Sequence, residues 1–117
     1  MRFLALVLCL LAGTAGAQQA ERGQGVILRA LDKFKGEVRD IELRMGGAAA
    51  FGSLEIFLVE CRYPAGNPAG DAWAELEIAE AGKAGTAFTG WMVASSPALS
   101  AMDHPRYDVW VLRCITS

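Results

Sequence analysis

Residues 90–114 read GWMVASSPALSAMDHPRYDVWVLRC, and this stretch decides the fold. It divides into a strand, a short helical turn and a second strand. At its start, Thr86 to Val93 sets Phe88 and Met92 on one face, with Trp91 and Val93 on the other. At its end, Tyr107, Val109 and Val111 alternate with Trp110, Leu112 and Cys114. Apolar side chains on both faces of a period-two run predict strands covered on both sides. Between them Ser96 is placed to cap a helical turn and Pro97 to occupy its first position. Leu99, Ala101 and Met102 can then pack inward, or the segment Pro97 to Met102 can form a contact surface; the sequence leaves both open. His104, forced out of helical space by Pro105, ends the turn.

Working upstream, Leu54 to Tyr63 (LEIFLVECRY) is the strongest strand signal. Leu54, Ile56 and Leu58 take one face; Phe57, Val59, Cys61 and Tyr63 take the other. Glu37 to Met45 alternates Ile41, Leu43 and Met45 with Asp40, Glu42 and Arg44, a strand with one wet face. Val26 to Asp32 precedes it, and Lys33 to Gly36 reads as the hairpin between them. Ala72 to Ala79 sets Trp73, Glu75 and Glu77 against Ala74, Leu76 and Ile78, and its charged face suggests a place near a sheet edge. Pro64 to Asp71 is a loop of Pro and Gly. Gly90, inside its strand, marks a bulge or a close backbone approach. About six short strands and one helical turn predict an all-β fold, a small antiparallel sandwich or partly open barrel.

The chain has 117 residues, enough for one domain. Residues 1–17 read as a cleaved secretory signal: Arg2, an apolar run from Phe3 to Ala12, then Ala15-Gly16-Ala17. Cys9 lies in that run behind Leu8, not the small residue that a lipid attachment needs. The run is about half the ~20 residues that cross a bilayer, and no later run is long enough. Residues 18–25 form a loose arm, and residues 26–117 the domain. Loss of Arg2 takes the net charge from −2 to −3, which gives no basic stripe for nucleic acid. The expected compartment is the periplasm, where Cys61 and Cys114 pair by default. Their long loop makes the crosslink worth roughly 4 kcal/mol in the chain-entropy model.

Chemistry is sparse. Ser95, Ser96, Ser100, Asp103 and the lone His104 tempt a hydrolase reading, yet no G-x-S-x-G elbow is present. One His and two cysteines fall short of a metal site. Glu75 and Glu77 share one strand face and read as a wet surface rather than a glycosidase pair. No phosphate loop or dinucleotide fingerprint occurs. Trp91 and Trp110 read as core; Trp73, beside two glutamates, reads as an exposed contact. The expectation is a protein with no catalytic residue, metal or cofactor.

The pieces Gly90-Trp91-Met92, Ala94 to Leu99, His104-Pro105, Tyr107 to Leu112 and Cys114 together resemble a family of exported alphaproteobacterial proteins of unknown function. Leu31 to Lys33, Phe51 to Ile56 and Cys61 are similar to the same family. The resemblance covers most of the mature chain and carries over no catalytic residue. It implies the two-cysteine pattern, and relatives in that family are often encoded beside an accessory subunit of the respiratory NADH:quinone oxidoreductase. The resulting expectation is a periplasmic accessory protein that touches a protein partner, an inner-membrane complex being the candidate, through Trp73, Leu99, Met102 and His104. Binding of a small molecule or glycan by the aromatics is the alternative, and a hydrolase centred on His104 the third reading.

Overall fold

The computed structural model describes residues 19–117; the export signal expected over residues 1–17 lies outside them. The strands are β1 (Ala20–Arg22), β2 (Gly25–Asp32), β3 (Glu37–Arg44), β4 (Ala48–Phe51), β5 (Leu54–Pro64), β6 (Trp73–Glu80), β7 (Phe88–Val93) and β8 (Tyr107–Ile115). They form two antiparallel sheets, β1-β5-β6-β7 with β4 also on β5, and β3-β2-β8. The all-β expectation holds, as a sandwich rather than a closed barrel.

The strands beyond the expected six are β1 and β4. They have three and four residues, too few to register as an alternation. They lie end to end along the edge of β5 opposite β6, pairing Ala20 with Pro64 and Ala48 with Phe57. Between them Gly23 N–H donates to the Cys61 carbonyl at 2.7 Å, and Gly46 N–H to that of Leu58 at 3.0 Å. That edge therefore has its backbone groups met along its length. Residues 20–22 of the expected loose arm are this paired strand.

The chain passes between sheets at Gly23-Gln24 and again at Met45 to Gly47, closing one side of the sandwich. On the other side β8 has, among the described residues, only β2 as a neighbour in its sheet, and the segment 94–106 runs beside it. Met102, 5 % exposed, enters the core there. The helical turn expected over this segment is absent: Leu99 N–H donates to the Ser96 carbonyl at 3.0 Å and the turn goes no further. A run this short between Pro97 and Pro105 cannot recover the cost of helix nucleation. Side chains hold its ends instead.

β6 lies inside its sheet, between β5 and β7, rather than near an edge. Its charged alternation marks an uncovered face, not an unpaired side. Gly90 carries no bulge; the β6–β7 register is continuous through it.

The inner faces carry the core: Val26, Leu28 and Ala30 from β2, Leu54, Ile56 and Leu58 from β5, Ala74, Leu76 and Ile78 from β6. Bulges occur where the notional alternation would have placed the cysteines outward. In β5 the register shifts between Leu58 and Glu60, so Val59 is extra. In β8 Leu112 is extra, because Leu28 pairs with Val111 and Ile27 with Arg113. Each shift turns the following cysteine inward. Cys61 and Cys114 are bonded with their Cα atoms 5.8 Å apart. Packed sheets ordinarily stand about 10 Å apart, so the layers converge at this pole. Gly23 makes room: a Cβ there would sit 3.0 Å from that of Cys114.

Candidate functional site

Of the four residues expected to form a contact surface, the structure leaves two at the surface and takes two inside. Leu99 is 75 % exposed, and Trp73 is half-buried on the outer face of the five-stranded sheet. Met102 belongs to the core. The turn points Leu99 to solvent and brings Met102 back between the sheets.

His104 is an anchor within the fold. Its Nε2 lies 3.1 Å from both carboxylate oxygens of Glu80. Its Nδ1 accepts the backbone N–H groups of Arg106 at 3.0 Å and Tyr107 at 3.2 Å. Those two donors place the proton on Nε2, which donates to Glu80. Glu80 also accepts from Ser53 Oγ at 3.1 Å and pairs with Lys83. The His104 bond, followed by those neighbours, lowers the Glu80 pKa.

Next to His104, the buried Tyr107 hydroxyl accepts from Ser53 N–H at 3.1 Å. Hydrogen bonds from Ser53 lower the phenol's pKa. The Tyr107 oxygen would stand 2.3 Å from a Cβ on Gly52, which itself has φ +57°. Arg106 forks onto Asp32, Nε to Oδ1 at 3.0 Å and Nη2 to Oδ2 at 2.9 Å. Its guanidinium lies between the Phe34 and Tyr107 rings, 5.1 and 5.2 Å from their centroids. The pair with Arg106 holds the Asp32 carboxyl down at about 2.

The serine and acid of the hydrolase reading do not join His104 in this network. Ser95 donates its backbone N–H and its hydroxyl to Asp71, at 3.0 and 2.8 Å. Both nitrogens of His104 are engaged with other partners. The cluster fastens the end of segment 94–106; it presents no nucleophile to a base.

Two surfaces remain. One lies where the segment runs along β8: Pro97, Ala98, Ala101, Asp108 and Trp110 border a groove of about 260 Å³, with Leu99 beside it in the chain. The other is the outer face of β5, β6 and β7, where Ala20, Arg62, Trp73 and Trp91 line a shallow groove of about 370 Å³. Trp91 is 38 % exposed, not core. Its signal was the company it keeps: it shares the parity of Thr89 and lies directly opposite Glu75. Trp110 is half-buried on the outer face of β8 rather than inside. No group of three or more His, Cys, Asp or Glu among the described residues is placed to hold a metal ion. No helix among them is long and apolar enough to cross a membrane.

A family model described as an uncharacterized protein conserved in bacteria (DUF2155) matches residues 26–114, from the first residues of β2 to the second disulfide cysteine. No curated protein and no solved structure matched the chain.

Proposed function

We propose, from the premise that the chain belongs to the DUF2155 family of bacteria, that it is an exported contact protein without a reactive centre. Its place is the periplasm, as an accessory subunit on an inner-membrane respiratory complex of the NADH:quinone oxidoreductase kind. The resemblance of its C-terminal block to exported alphaproteobacterial proteins supports that placing. The Cys61–Cys114 bond is compatible with an oxidising compartment. The observation that carries the contact reading is Leu99. It is 75 % exposed on a segment fastened at both ends, by Ser95 to Asp71 and by His104 to Glu80. An apolar side chain held out by a fixed loop costs little further ordering when a partner covers it.

Affinity purification from native membranes tests this. The wild-type chain should bring down a stoichiometric membrane partner, and Leu99→Asp should release it while leaving the thermal unfolding of the free chain unchanged. A wild-type chain recovered alone would defeat the reading. The second reading, a small molecule or glycan on the aromatics, is favoured by the groove between Trp73 and Trp91.

A further inference from the structure

We propose that the outer face of the five-stranded sheet, at Trp73, Trp91 and Glu75, binds a basic segment of a partner polypeptide. The surface is distinct from the loop that carries Leu99. Two indoles border its groove, and Arg62 forms part of its wall. Arg62 is committed to Glu60, which Arg22 approaches as well at 3.5 Å.

Glu60 lies directly opposite Glu75 across the β5–β6 ladder, and Trp91 lies opposite Glu75 on the other side. Like charges facing across a ladder are unfavourable. Arg62 and Arg22 offset Glu60, but Glu75 has neither an ion pair nor a side-chain hydrogen bond among the described residues. Glu77, two residues along the same face, lacks one too. The face thus combines exposed aromatic surface with unneutralised negative charge.

That combination selects the occupant. An anionic segment would be repelled by the unpaired Glu75 and Glu77, and a neutral one would leave both without a partner. A guanidinium or ammonium over the Trp91 ring gains the cation–π attraction and meets Glu75 at the same time. The alkyl stem of the same side chain covers the apolar floor of the groove.

Calorimetric titration of the purified protein with a capped Arg-Ala-Arg-Ala-Arg peptide tests the proposal. The peptide should bind, and Glu75→Gln and Trp91→Ala should each weaken it by about fivefold or more. Glu37→Gln, the same charge change on the other sheet, should have no effect, and neither should Leu99→Asp. The matching Glu-Ala-Glu-Ala-Glu peptide and a neutral oligosaccharide should not bind. Unchanged binding by Glu75→Gln would overturn the proposal. So would equal weakening by Glu37→Gln, which would reduce the effect to bulk charge. Oligosaccharide binding that depends on Trp91, or no binding of the basic peptide, would overturn it as well.

Discussion

Asp32 sits at the end of β2 with its side chain almost out of water, and Arg106 is the cation that permits this. Its folded pKa of about 2 lies below the ordinary 3.8. The stabilisation it contributes is therefore present in full above about pH 4 and is lost as pH falls through about 2. Glu80, also held low, adds a dependence of the same sign. Urea midpoints measured from pH 5 to pH 2 should fall in this window for the wild type and fall less steeply for Asp32→Asn. At His104 a local effect is expected. Removing the ring in His104→Ala takes away the acceptor of the Arg106 and Tyr107 amides, so their hydrogen exchange should accelerate ahead of the core. Gly52→Ala should cost at least about 1–2 kcal/mol by chemical denaturation, because a side chain at positive φ is strained and this one would also meet the Tyr107 hydroxyl.

The bulges govern what the strands do. β5 and β8 each carry inward residues at alternate positions, then spend one extra residue before the cysteine. Deleting Val59 should give a regular strand that still directs Cys61 inward. Intact-mass measurement under non-reducing conditions should then find no free thiol; alkylatable cysteines would contradict the bulge assignment. This is also where sequence reading reached its limit. The alternation of β3, β6 and β8 located those strands closely, because side-chain parity follows from backbone geometry alone. Whether a charged alternation means an edge or an uncovered face depends on which strands lie alongside, and β6 shows that parity is silent on this. The same silence put Trp91 and Trp110 in the core. Cys61 and Cys114 could be paired from the expectation of export, whereas the network of Asp32, Glu80, His104 and Arg106 could not be foreseen. Its members are far apart in the chain and each is ordinary where it stands.

The whole molecule is held by unlike means at its two ends. The disulfide clamps one pole, where the layers converge; ion pairs and hydrogen bonds around Tyr107 clamp the other. Replacing both cysteines by alanine should cost roughly 4 kcal/mol in the chain-entropy picture, read as a lower urea midpoint. Acid should weaken the opposite pole while leaving the covalent one intact. Hydrogen exchange at pH 3 should accordingly rise first in the residues around Ser53, Glu80 and Arg106.

Gln19 binds the Ala65 amide, and the Ser117 carbonyl accepts from Arg44, so the first and last described residues leave the sandwich from the covalently clamped pole. An affinity handle joined at either end of the described residues emerges on that side. The molecule is therefore directional: immobilised through either terminus, it turns its titratable pole outward, toward whatever stands opposite.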